Sequence, residues 1–312
     1  MRRVLWLLIF ICASPQAGAQ SVPLNSLNKN QTRVGALDFK GAVVIPTGKN
    51  NIGGLSSLWV SPDGERVVAL ADIGRVFEGT LQWGPDETLQ GVTFAPGYKL
   101  QDVGGKAFTK RADTEGLSRA ADGSWLVSFE RDHRIYRYPE LKGVPQQIEA
   151  PPHLQDLLPR NEGLEGIVSF PDGRQLVLAE AAAANGHHRG WLWQDGHWLE
   201  FDYEGAPGFK PTDVTYLHEG SVLVLERRVN IFAGGFQAVV MQLDLPDRVA
   251  GQQLKGREIA RLSPPLLTDN YEGIYARTRP DGLTQVFLVS DDNMNGIQQT
   301  ILAVFLLSWV VH

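Results

Sequence analysis

Carboxylates return at two corresponding points of a unit that the chain repeats. Glu115, Glu165, Asp213 and Glu272 each open a short apolar run, and Asp72, Glu130, Glu180, Glu226 and Asp291 each close the next one. Brought to one place, these like charges repel, and folding costs free energy unless a cation, an Arg or Lys, or a raised pKa compensates. Oxygen donors with neither cysteine nor clustered histidine beside them suit a hard cation, Ca2+ rather than zinc or copper. Glu115, Glu165, Asp213, Glu272 and Asp291 are therefore candidate metal ligands. Asn293 joins them, because Asp291-Asp292-Asn293-Met294-Asn295-Gly296 carries the alternating oxygens and turn glycine of the first half of a calcium loop. The second half is missing. The twelfth position is Leu302 rather than Glu, so this is no EF-hand, and an Asp/Asn-rich turn capping its own backbone explains the stretch equally.

Arginines follow two of the closing acids directly, in Glu130-Arg131 and Glu226-Arg227-Arg228. Glu130, Arg131, Glu226 and Arg227 are the candidate catalytic groups: a carboxylate activates water and a guanidinium grips phosphate or carboxylate. The competing reading is a set of salt bridges tying neighbouring units together. His187-His188 lies among Gly and Ala and reads as a solvated loop, while Trp191, Trp193 and Trp198 alternate through a hairpin and read as packing. There is no Gly-x-Ser-x-Gly elbow, His-Glu-x-x-His, phosphate loop or dinucleotide fingerprint.

The elements that position these groups are read from the repeat itself. Each unit has a residue group with Gly, an apolar-alternating run, an Asp-Gly-type turn, and a second apolar run ending in an acid. The turns are Asp63-Gly64, Asp122-Gly123, Asp172-Gly173, Glu219-Gly220 and Asp281-Gly282. Turn dipeptides suited to positive φ between β-branched runs predict β-hairpins. Further strands follow each hairpin, such as Ile135-Tyr136-Arg137-Tyr138 and Trp191-Leu192-Trp193, giving units of about four strands, which match propeller blades. The fold class predicted is all-β: a propeller of five blades, or six if residues 78–110 form a blade of their own. The last unit ends with Ile301-Leu302-Ala303-Val304-Phe305-Leu306 as its third strand, and Leu37 to Ile45 supplies its fourth, joining the two ends of the chain. In such hairpins both acidic sets lie at the open end, opposite the turn, and converge on one mouth of the central channel.

Arg2-Arg3, the apolar residues 4–13 and Ala17-Gly18-Ala19 have the form of a cleavable export signal, residues 1–19. Its removal takes away Cys12, the chain's one cysteine, and shifts the net charge from −6 to −8. No disulfide is then available, and nucleic acid is an unsuitable partner. Residues 20–34 read as a flexible lead-in and residues 35–312 as one propeller domain. The apolar residues 300–311 are too few to cross a membrane and read as a buried strand. A monomer, periplasmic or secreted, is expected.

Asp113-Thr114-Glu115-Gly116-Leu117, Asn161-Glu162-Gly163-Leu164-Glu165-Gly166-Ile167, Leu225-Glu226-Arg227-Arg228, Tyr271-Glu272-Gly273-Ile274 and Ser290-Asp291-Asp292-Asn293 together resemble the phytase-like family of exported bacterial proteins, labelled "esterase-like activity of phytase". The resemblance covers residues 35–307. It implies hydrolysis of an ester or phosphoester substrate at the acidic mouth, with a divalent cation held as in calcium-dependent propeller phytases and lactonases. The first unit departs from the pattern, with Gly53-Gly54-Leu55-Ser56 where the others carry an acid. Two other readings stand beside hydrolysis: a non-catalytic propeller binding a small molecule, sugar or envelope protein, and a structural one with acids and arginines paired off.

Overall fold

The computed structural model describes residues 19–46, 52–109, 112–230, 235–295 and 298–308. All of the expected leader except Ala19 lies outside them. Five sheets form the blades of a β-propeller, and the described residues contain a single short helix, Leu154–Leu157. The innermost strands are Leu55–Val60, Thr114–Arg119, Leu164–Ser169, Lys210–His218 and Tyr271–Thr278, and each contacts the next around a closed ring.

Five blades, not six, make the ring. Within residues 78–110, the strands Leu89–Phe94 and Tyr98–Lys99 both pair with Arg75–Trp83 and so complete the first blade. In the fifth blade Tyr271–Thr278, Thr284–Ser290 and Thr300–Leu307 are joined by Leu37–Ile45, which pairs antiparallel to Thr300–Leu307. The predicted closure by the two chain ends is thus the observed one. The lead-in departs from expectation: Gln20–Val22 adds an edge strand to Leu37–Ile45, and Leu24 behind it is buried. A buried leucine contributes roughly 1.5–3 kcal/mol, which is what holds this polar segment down.

The core is divided among the gaps between blades. Five apolar clusters each join two adjacent sheets, as where Leu178 and Phe201 of the third blade meet Val224 and Val239 of the fourth. Each hairpin turn places its glycine at a φ between 73° and 89°, a region that L side chains avoid. The turns define one end of the channel and leave the opposite end to the residues that open and close each hairpin.

Candidate active site

Each innermost strand carries a β-bulge at the open end, where two of its residues oppose one on its partner. The pairing shifts between Leu55 and Ser57, around Glu115 and Gly116, between Leu164 and Gly166, between Pro211 and Asp213, and between Tyr271 and Gly273. A bulge re-aims a side chain and bends the strand. The residues at the bulge are Ser56, Glu115, Glu165, Thr212 and Glu272, and they define the inner ring of the mouth. At the next residue of each strand the neighbouring innermost strands approach closely and narrow the throat. A Cβ on Gly116 would meet the Glu165 carbonyl oxygen at 2.7 Å, one on Gly166 the Val214 nitrogen at 2.6 Å, and one on Gly273 the Ser57 Cα at 2.9 Å.

Asp213 occupies this throat position in the fourth blade. Its carboxylate accepts hydrogen bonds from Ser57 Oγ (2.9 Å), the Ile274 amide (3.0 Å) and the Val214 amide (2.8 Å), linking three of the five blades. Burial pushes its carboxyl well above the ordinary range, against the pull of those donors. The candidate metal ligand Asp213 thus lies one residue below the ring, its oxygens committed to the backbone.

The second strands supply the outer ring: Asp72, Glu130, Glu180, Arg227 and Asp291, each one residue beyond the pair that flanks the bulge. The fourth member is Arg227, not Glu226. Adjacent residues of a strand face opposite sides, so Glu226 turns from the mouth into the gap between blades, fully buried. There it accepts hydrogen bonds from Tyr203 Oη (2.6 Å) and the Ala206 amide (2.9 Å), and burial pushes its carboxyl up to about 7. Sheltered there, Glu226 is removed from the catalytic set by its geometry.

Glu130, Glu165 and Glu180 come together most closely: one oxygen from each lies within 4.8 Å of the others. Glu165 is buried and, among the described residues, makes no side-chain hydrogen bond or ion pair. Burial raises its carboxyl well above the ordinary range, and Glu115, Glu180, Glu130 and Glu272 push it in the same direction. Glu130 is raised by burial and Glu180, while the Gly163 amide and Arg131 oppose. Glu180 is raised by burial, with Lys210 at 3.6 Å and Arg227 opposing. Lys210 also binds Glu162 at 3.0 Å.

Arg227 donates to Glu272 at 3.0 Å, and Asn270 donates to the same carboxylate at 2.8 Å. The two partners' titrations pull apart, because Glu272 holds Arg227 charged while burial raises Glu272 despite the guanidinium. The direct contact decides in favour of an ion pair. Asp291 lies beside Glu272 and Asp72, and burial pushes it up to about 7. Arg131 turns to Asp113 at 3.2 Å and reaches Glu130 only at 3.8 Å, with its side chain 43% exposed. It forms a bridge at the rim and is not aimed over the mouth.

The calcium-loop-like stretch is a turn. Asn293 is exposed, its amide donates to Asp291 Oδ1 (2.7 Å) and its side chain to Gln298 (3.2 Å). Asp292 is buried and accepts the Gly54 amide (3.0 Å) and the Met294 amide (3.0 Å), tying the last blade to the first. A Cβ at Gly53 would meet Asp292 Oδ1 at 2.6 Å, which keeps that position glycine, while the first-blade counterpart of the acids that open the other units is Ser56, not Gly53 as expected.

Sequence reasoning passed over Lys210 and Ser57, whose partners lie on other blades, and Asn270, which bonds Glu272 in its own blade. It also placed His188 in a solvated loop. His188 is buried in the strand His188–Gln194, its Nδ1 2.8 Å from the Glu180 carbonyl oxygen and its Nε2 3.3 Å from that of Phe209, and burial lowers its pKa. The tryptophans pack as expected, Trp193 against Trp198 at 5.4 Å. The donor set Glu130, Glu165 and Glu180 is all hard oxygen and fits Ca2+ or Mg2+.

The family described as "Phytase-like: Esterase-like activity of phytase" matches residues 50–294. No curated protein matches the chain. Among solved structures, a virginiamycin B lyase from Staphylococcus aureus is 12% identical with a TM-score of 0.45, covering 92% of this chain and 98% of its own. A structural-genomics target with a provisional gluconolactonase assignment is 11% identical with a TM-score of 0.44, covering 93% of each. U3-55K is 10% identical with a TM-score of 0.37, covering 84% of this chain and 98% of its own.

Proposed function

The chain belongs to the phytase-like family, and from that premise we propose that it hydrolyses ester or phosphoester bonds at the acidic mouth with a divalent cation held by Glu130, Glu165 and Glu180. The observation that carries this reading is the convergence of those carboxylates on one point, with Glu165 buried among like charges and bonded to no other described group. Glu130, Glu165 and Glu180 would hold the cation, which would offset their repulsion and supply Lewis-acid polarisation of a substrate oxygen. The protein's own groups do the rest. Glu130, raised by burial, is suited to take a proton from water. Arg227 and Lys210 offer positive charge to an anionic substrate at the same rim, while their contacts to Glu272 and Glu180 hold them in place.

The test is hydrolysis by purified, metal-stripped protein of 4-nitrophenyl acetate, 4-nitrophenyl phosphate and bis(4-nitrophenyl) phosphate, with and without added Ca2+ or Mg2+. Activity restored by one of these ions and lost in Glu165→Gln is the expected result. If no substrate turns over although the ion raises the melting temperature, the mouth is a binding site and the non-catalytic reading replaces hydrolysis. The leader-like residues 1–19 support assigning this activity to a compartment outside the cytoplasm. N-terminal sequencing of the exported protein, expected to begin at Gln20, checks that assignment.

A further inference from the structure

The opposite end of the channel holds a cavity of about 390 Å³, lined by all five innermost strands, and it shares no residue with the acidic mouth. Its size lies within the range of small-molecule sites, roughly 300–1,000 Å³. Two aromatic pairs form its sides: Trp59 and Tyr275, of the first and fifth blades, lie 6.3 Å apart, and Phe170 and Tyr216, of the third and fourth, 5.7 Å apart. The fourth and fifth blades are neighbours, so Tyr216 and Tyr275 stand on adjacent strands, and the four rings line a slot whose aromatic wall suits a flat ligand ring.

The polar groups of the slot are donors. Ser118 Oγ accepts the Ser169 amide at 2.9 Å and Thr215 Oγ1 accepts the Ala276 amide at 3.0 Å. Among the described residues neither hydroxyl donates to a protein acceptor, so each has a proton to give to a ligand. Arg119 reaches the cavity from the second blade, its guanidinium 4.4 Å from the centre of the Trp125 ring, and no described residue gives it an acidic partner. Other arginines at this end are engaged. Arg174 pairs with Asp172 at 2.8 Å, and Arg277 donates to Gln285 (2.9 Å) and to the Pro62 carbonyl (2.7 Å).

We propose that this cavity is a second ligand site, for a small planar organic anion such as an aromatic carboxylate, its ring against the aromatic wall and its carboxylate on Arg119. A guanidinium without a carboxylate of its own loses little when it receives one from a ligand, and charge-assisted hydrogen bonds are the strong ones.

Calorimetric titration with 2-naphthoate, beside neutral 2-naphthylmethanol, tests it. One saturable naphthoate site is expected. It should weaken at least about tenfold in Arg119→Gln, the loss of one charged hydrogen bond, and more in Ala121→Trp, which fills the cavity from an exposed lining position. 2-Naphthylmethanol should bind more weakly and be indifferent to Arg119→Gln. Absence of saturable binding, equal affinity in Arg119→Gln, or displacement of naphthoate by Ca2+ would overturn the proposal. Because Glu165→Gln alters only the acidic mouth, unchanged naphthoate binding in that variant separates this site from the proposed hydrolytic one.

Discussion

The third and fourth blades bring the same hairpin to the same mouth with opposite electrostatic results. The third places Glu165 at its bulge and Glu180 in the outer ring; the fourth places Thr212 and Arg227 there. Both pairs are fifteen residues apart, so the hairpins correspond when aligned on the bulge. The third blade concentrates negative charge that only a cation or a proton relieves. The fourth brings a permanent cation to Glu272 and a carboxylate, Asp213, into the throat as a structural link. The repeat therefore builds a lopsided mouth, with an acidic side and a self-neutralised side.

The sharpest way to break the comparison is Asp213→Ala. It leaves the Ser57 hydroxyl and the Ile274 and Val214 amides without their acceptor in a closed throat, and should cost about 3 kcal/mol or more. Asp213→Asn, which keeps an acceptor oxygen, should cost less. Urea denaturation checks both, and a change under about 1 kcal/mol in the alanine variant would mean that Asp213 does not join the blades.

Arg227→Ala removes the fourth blade's cation and strands Glu272 among like charges. A loss of about 2 kcal/mol is expected in metal-free protein, with added Ca2+ recovering part of it. The recovery separates a charge effect from a packing one.

The buried acids of the mouth and of the gap beside it predict a pH dependence. Their folded-state pKa values are raised, so the folded protein binds more protons than the unfolded chain above the ordinary carboxylate range. Their stabilising effect is complete below the unfolded pKa and is lost as pH rises through the folded values, which for Asp291 and Glu226 lie at about 7. His133 and His188, lowered by burial, act in the opposite sense, their stabilisation being lost as pH falls below their ordinary range. The raised acids outnumber them, so the melting temperature of metal-stripped protein should fall from pH 5.5 to 7.5. Glu165→Gln should flatten that fall and raise the melting temperature of the metal-free protein at pH 7.5, because it removes a buried charge that its neighbours repel.

The smallest effect is expected of Arg131→Ala. Its bridge to Asp113 is solvent-exposed, and exposed pairs contribute about 0–1 kcal/mol. A loss of hydrolysis in that variant without loss of stability would return Arg131 to the catalytic set.

The all-β blades, their turns and the closing strand Leu37–Ile45 were legible because hairpin alternation and Asp-Gly turns are local properties of the chain. The convergence of Glu115, Glu165, Glu130, Glu180, Glu272 and Asp291 followed from the same reasoning, since the ends of a hairpin lie opposite its turn. The first blade was misaligned by three residues, Gly53 for Ser56, and the fourth by one. Asp213-Val214 and Leu225-Glu226 resemble Glu165-Gly166 and Ala179-Glu180 in type, and nothing local distinguishes Asp213 from Thr212 as the residue at the bulge. Because side chains alternate with a period of two, that slip sent Asp213 into the throat and Glu226 into the gap between blades.

What the chain by itself determined is the repeat, the fold class and the end of the propeller where the acids gather, because each depends on residues close in sequence. What only the tertiary structure decided is which acids meet. Asp213 is held by Ser57 and Ile274, Asp292 by Gly54, and Arg227 by Glu272, partners on other blades that the ring alone brings within hydrogen-bonding distance. A carboxylate's role depends on which donors lie within about 3 Å of it, and in a closed ring those donors come from strands far away in the chain.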